Sequence, residues 1–174
     1  MNTIKYKKLI ASHVTGQSEK IQGVDASGNP ILTLPTEIVK SGGCGYLSLG
    51  YLYNRKWYRI AYGTAGNNAK THSVLLNIGN HYYNSAPLSQ LLYIHASGFT
   101  EPVIFQLANV GKVISKARIL YNNNKQIFLE INLNIGEKNP VYIAYSCNLA
   151  FYFQKPVEVN DVPEEGYNVK EFIL

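Results

Sequence analysis

Along most of the chain, apolar and polar residues alternate with a period of two, which marks strands with one buried and one wet face. The clearest run is Lys125 to Asn134, where Ile127, Leu129, Ile131 and Leu133 share one face and Phe128, Glu130, Asn132 and Asn134 the other. It is flanked by Val113 to Tyr121, Val141 to Ser146 and Leu149 to Gln154, all strand-like. Asn122-Asn123-Asn124 joins the first two of these strands, and asparagine tolerates the positive φ of tight turns. Residues 113 to 153 therefore read as a β-meander whose wet face carries Glu130 as an unpaired acid.

Further strands are predicted at Tyr46 to Tyr53, Lys56 to Ala61, His72 to Gly79, Leu91 to His95 and Val103 to Leu107. In the first, Tyr46, Ser48 and Gly50 alternate against Leu47, Leu49 and Tyr51. No stretch of ten or more residues combines a helical period with caps. Turn signals every 8 to 12 residues point to an all-β chain, a jelly-roll-like antiparallel β-sandwich with an extended N-terminal arm and a short C-terminal tail.

Three regions follow. Residues 1–45 form an arm for anchoring and oligomerisation. Its apolar residues are Ile4, Tyr6, Leu9 and Ile10, then Ile31, Leu32 and Leu34 after the turn-rich stretch 23–30. Gly42-Gly43-Cys44-Gly45 is a hinge or bulge. Residues 46–156 are the sandwich body. Residues 157–174 are a Pro-bounded polar linker with an apolar tip, Phe172-Ile173-Leu174, that must dock on its own body or on another subunit.

Composition narrows the function. Only 16% of residues are charged while 14 are tyrosine, so the surface is dressed with tyrosines and amides, groups that suit contact surfaces as well as strands and turns. The net charge of +5 is dispersed along the chain, which excludes a dense nucleic-acid footprint. Two cysteines, Cys44 and Cys147, and four histidines are too few and too scattered for a zinc site, and no cofactor motif is present. No run of about 18 apolar residues is available for membrane insertion, and the N-terminus lacks a signal-peptide core, so the expectation is a soluble protein made in a cytoplasm.

For ligand recognition the candidates are Trp57 and Arg59, which share a strand face, Asn67 and Asn68 in a Gly-rich loop, and His81, Tyr82, Tyr83 and Asn84 at a later turn. Aromatic faces stack on sugar rings and amides bond hydroxyls. Attachment candidates are Ile4, Tyr6, Leu9, Ile10, Ile31, Leu32 and Leu34 of the arm. For catalysis, a glycosidase needs two carboxylates that approach each other. Between residues 38 and 157 only Glu101, Glu130 and Glu137 are available. With no nucleophile motif either, the expectation is a non-enzymatic protein without metal.

The runs Lys56-Trp57-Tyr58-Arg59-Ile60-Ala61, Ser73 to Ile78, Ile114 to Tyr121, Ile127 to Ile131 and Asn139-Pro140-Val141-Tyr142-Ile143 resemble a distal domain of bacteriophage fibre proteins, tail or head fibres of phages of gut bacteria. The resemblance covers roughly residues 50 to 153. It implies a jelly-roll β-sandwich, usually a homotrimer, made in the host cytoplasm and carried on the virion, where it contacts viral capsid or tail proteins and binds host surface carbohydrate or protein. A chain of 174 residues with a Met start suits a head fibre or capsid decoration as well as a tail fibre. The alternative is a purely structural capsid or tail component touching only viral proteins, and a third reading, a glycan depolymerase, would rest on Glu130.

Overall fold

A computed structural model describes residues 21–34, 43–64, 72–80, 88–98, 100–147 and 151–174. The chain divides into two compact units, Met1–Gly42 and Gly43–Leu174.

In the first unit, β1 (Ile21–Val24) and β2 (Pro30–Thr33) form an antiparallel hairpin in which Val24 faces Pro30. The turn-rich sequence closes it. The Asp25 carboxylate accepts backbone N–H bonds from Asn29 at 2.9 Å and Ser27 at 2.8 Å, and Gly28 takes the positive φ of 82° that the turn needs. The Asn29 bonds, backbone first and then side chain, hold the Asp25 carboxyl below the usual carboxylate range. Ile31, Leu32 and Leu34 are exposed on this hairpin. Ile4, Tyr6, Leu9 and Ile10 lie outside the described residues.

In the second unit the strands are β3 (Cys44–Tyr53), β4 (Trp57–Gly63), β5 (His72–Asn80), β6 (Leu88–Ala96), β7 (Val103–Val110), β8 (Ile114–Tyr121), β9 (Ile127–Leu133), β10 (Lys138–Cys147), β11 (Phe151–Val159) and β12 (Asn168–Ile173). They build two antiparallel five-stranded sheets, in the orders β3-β10-β5-β6-β7 and β11-β4-β9-β8-β12. The architecture is the expected all-β sandwich. The chain alternates between sheets at β3-β4-β5 and at β9-β10-β11, whereas β5-β6-β7 and β8-β9 are hairpin-connected runs.

The core fills the space between the sheets. Val74, Leu76, Ile78, Leu92, Ile94, Val141 and Ile143 come from one sheet, and Ile60, Ala117, Ile119, Ile127, Leu129, Ile131 and Leu133 from the other. Buried Gln90 ties the layers: its Oε1 accepts from Val113 N at 2.7 Å, and its Nε2 donates to Gln106 Oε1 at 2.9 Å and Ile114 O at 3.2 Å. Every buried polar atom of this side chain is thereby satisfied, which a core amide requires.

Three sequence expectations are corrected. Residues 113 to 153 are not a meander: β8 and β9 pair, but β10 crosses to lie between β3 and β5, and β11 returns to pair with β4. Period-two alternation specifies faces and is silent about which sheet a strand joins. The alternation of β3 changes phase at Gly50, whose φ of 77° creates a bulge opposite Val141 and Tyr142, so Tyr51 is exposed instead of joining Leu47 and Leu49. Residues 157–174 are no separate tail: 157–159 complete β11, and 168–173 form the edge strand β12 against β8. Pro156 sits at the register break of β11, where a missing N–H is tolerated.

Candidate functional site: an uncharged aromatic face

Trp57 and Arg59 share a face of β4, and the structure closes that face over. β11 and β12 are opposite edges of their sheet, so residues 160–167 must cross its outer surface, a span of four inter-strand gaps or about 19 Å. Beneath this strap lies a charge network. The Glu130 carboxylate accepts from Arg59 Nε at 2.9 Å through Oε1 and from Arg118 Nε at 2.7 Å through Oε2. Arg118 then donates Nη2 to Asn160 O at 2.7 Å and Nη1 to Asp161 O, carbonyls of the strap itself. Arg59 Nη2 reaches Glu164 Oε2 at 3.0 Å.

Aromatic rings complete the network. The Arg118 guanidinium lies 4.2 Å from the Trp57 ring centroid, and Arg59 lies 3.7 Å from that of Phe128, which packs on Tyr167 of the strap. Glu130 and Arg118 are 1% exposed and Trp57 is 5% exposed. Glu130 is thus a buried, doubly paired acid, a correction to its reading as an unpaired residue of a wet face. Both Glu130 oxygens are held by guanidinium groups under the strap, Trp57 is buried beside them, and Arg59 is mostly covered. They form a structural lock.

On the outer face of the other sheet Tyr46, Leu75, Tyr93, Phe105 and Val110 are exposed, and no strap crosses it among the described residues. Register places three rows of side chains there: Cys44, Ser146, Leu75, Tyr93 and Phe105; then Tyr46, Ala144, Asn77, Leu91 and Ala108; then Ser48, Tyr142, Gly79, Ser89 and Val110. None of the fifteen is Asp, Glu, Lys or Arg. The face measures about 24 Å across five strands and roughly 20 Å along them. Charge enters this face only beyond these rows, where Lys138 of β10 lies over the ring of Tyr53.

Within it, a hollow of about 270 Å³ is lined by Tyr46, Asn77, Gly79, Asn80, Leu88, Ser89, Tyr142, Ile143 and Ala144. Its shape follows from the rows. Gly79 has no side chain between Tyr142 and Ser89, which leaves the gap, and Tyr46 stacks on its diagonal neighbour Tyr142 with centroids 6.1 Å apart and planes 14° apart. Ser89 Oγ donates to Asn77 Oδ1 at 3.1 Å. Asn80 is buried, and its Nδ2 has no hydrogen-bond partner among the described residues. An aromatic wall, hydroxyl and amide groups beside it, and no charge are the groups that hold a neutral polyhydroxylated ring.

Of the sequence-stated ligand candidates, only Trp57 and Arg59 fall in the described structure, and they sit under the strap of the opposite sheet. Asn67 and Asn68, and His81, Tyr82, Tyr83 and Asn84, lie outside the described residues. The latter four fall in sequence between Asn80 and Leu88, both of which line the hollow. Tyr46, Tyr142, Asn77 and Ser89 were missed. Tyr46 had a signal, since its alternation with Leu47 and Leu49 turns it outward, but its stacking on Tyr142 depends on the β3-β10 pairing, which spans nearly the whole second unit.

No family model and no curated protein matches the chain. Among solved structures, the tailspike protein of Acinetobacter phage vB_ApiP_P1 is similar, with 10% identity and a TM-score of 0.43 over 84% of this chain. The matched region is 27% of that tailspike, and a likeness so distant carries no function across.

Proposed function

We propose that the protein is a non-enzymatic phage virion appendage that binds a neutral host-surface glycan in the hollow beside Tyr46 and Tyr142, with residues 1–45 as its attachment arm. The virion setting is supported by the strand signatures that resemble phage fibre domains. The glycan reading is supported by one observation above all: a stacked tyrosine pair walls a hollow that also holds Asn77 and Ser89, within three rows of side chains that carry no charge. Weak single-site contacts of this type gain strength from many copies on one particle.

The test is a glycan array probed with the full chain, followed by calorimetric titration of the best ligand. Neutral glycans should bind, and Tyr142→Ala and Gly79→Val should each weaken binding about tenfold or more, equivalent to roughly 1.4 kcal/mol, without unfolding the chain. A Cβ at Gly79 would meet only Leu88 O at 3.5 Å, an ordinary contact, so a side chain can start there without displacing backbone. A folded chain that binds no glycan, or one indifferent to Tyr142→Ala, overturns the proposal and favours a component that touches viral proteins only.

A further inference from the structure

The edges of the two sheets differ in chemistry. In the strapped sheet, β11 carries Lys155, Pro156 and Glu158, and β12 carries Lys170 and Glu171. Charges and proline on an edge strand block addition of another strand. The open sheet ends at β7, Val-Ile-Phe-Gln-Leu-Ala-Asn-Val, which holds no charge and no proline. Phe105, Leu107 and Val110 are 58%, 55% and 69% exposed. The opposite edge, β3, is also uncharged, but the Gly50 bulge interrupts it.

What β7 fits is set by its own sequence. Residues 105–110 read apolar, amide, apolar, apolar, amide, apolar, the same in both directions. The register shift of β7 against Leu91 and Leu92 inserts Leu107 as an extra residue. As a result Phe105 and Val110 lie on one face, opposite Tyr93 and Ser89, while Gln106 and Asn109 lie on the other, opposite Leu92 and Gln90. Without that bulge, residues five apart would point to opposite faces. With it, the strand is complementary to an inverted copy of itself.

We propose that β7 is a self-pairing edge that joins two copies of this chain through antiparallel β7-β7 pairing about a two-fold axis between Leu107 and Ala108. Phe105 then faces Val110 of the partner subunit, Gln106 faces Asn109 of the partner subunit, and Leu107 faces Ala108 of the partner subunit. Such an interface is isologous and closes at two copies. The two open faces merge on one side of a continuous sheet, and the two hollows lie about 25 Å apart by strand spacing, a bivalent arrangement. This inference stands on the edge chemistry alone and is independent of what the hollow binds.

The test is the solution mass of the full chain by light scattering and sedimentation. Twice the 19.5 kDa chain mass is expected for the unaltered protein. Leu107→Lys places two cations beside the axis and should halve that mass with an unchanged circular dichroism spectrum. Independently, oxidation of Phe105→Cys/Val110→Cys should give a covalent dimer on a non-reducing gel, whereas Phe105→Cys/Ala108→Cys and the unaltered chain should not. A monomer or a trimer, a Leu107→Lys dimer, or failure of the first cysteine pair to cross-link overturns the proposal.

Discussion

Replacing Glu130 with Gln removes one negative charge from the lock and changes almost nothing in volume. In the folded protein Glu130 answers two guanidinium groups, accepting at 2.9 Å from Arg59 and at 2.7 Å from Arg118. Arg59 keeps an outlet, since it also reaches the half-exposed Glu164 at 3.0 Å. Arg118 has none: at 1% exposure it retains only two strap carbonyls and the Trp57 ring. Breaking a buried pair by removing one partner costs about 3–5 kcal/mol, because the remaining charge is stranded. For a chain of this size that loss lowers the melting temperature by roughly 6–20 °C.

Urea titration followed by tryptophan fluorescence reads this directly, because Trp57 is the sole tryptophan and stacks on Arg118. Lys56→Ala is the control: it breaks an exposed pair with Glu158 at 3.2 Å and should cost no more than about 1 kcal/mol. The double variant Arg118→Met/Glu130→Leu removes both charges together, so it should be more stable than the sum of the two single losses by about 1 kcal/mol or more. A Glu130→Gln protein within about 1 kcal/mol of the unaltered chain would refute the lock, since no stranded charge could then exist beneath the strap.

Two further outcomes follow from the described geometry. Burial pushes up the hydroxyls of Tyr58, Tyr145 and Tyr167 and the thiol of Cys147. The folded chain therefore holds these protons to higher pH than the unfolded chain, whose reference values are 9.0 for Cys and 10.0 for Tyr. Stability contributed by the neutral groups is full below those values and is lost as pH rises past them, so the urea midpoint should fall between about pH 9 and pH 11; a midpoint that stays level or rises there contradicts the burial of these groups. Separately, Gly43 and Gly50 have φ of 78° and 77°, but a Cβ at Gly43 would lie 2.1 Å from Cys147 O, while at Gly50 it meets open space. Gly50→Ala should cost roughly 1–3 kcal/mol from backbone strain alone. Gly43→Ala should cost clearly more, and equal urea midpoints for the two variants would show that the clash relaxes freely.

The strand faces were legible in the sequence because alternation is local: Ile127, Leu129, Ile131 and Leu133 are all core. The strand partners were not, because sheet membership is decided by pairings between residues far apart in the chain. Glu130 shows the cost of that gap. Its position among Phe128, Asn132 and Asn134 is polar by local pattern, and only the crossing of residues 160–167 and the approach of Arg59 and Arg118 from neighbouring strands bury it. Trp57 and Arg59 share a face as the alternation indicates, and the strap buries Trp57 and covers most of Arg59. The hollow was unreadable for a related reason: it is created by the side chain that Gly79 lacks, between tyrosines brought together by long-range register.

The strap also orders events during synthesis. β8 and β9 precede residues 160–174 in the chain, so until those residues arrive Arg59, Glu130 and Arg118 are hydrated and the β8 edge is unpaired. In that interval the outer face is polar and screened, which disfavours association with other nascent chains. Arrival of the strap desolvates the charges and supplies β12 in one step, which converts a loosely held sheet into a locked one. A chain interrupted before them would be left with an open edge and no means to close it, and would be an early target for proteolysis.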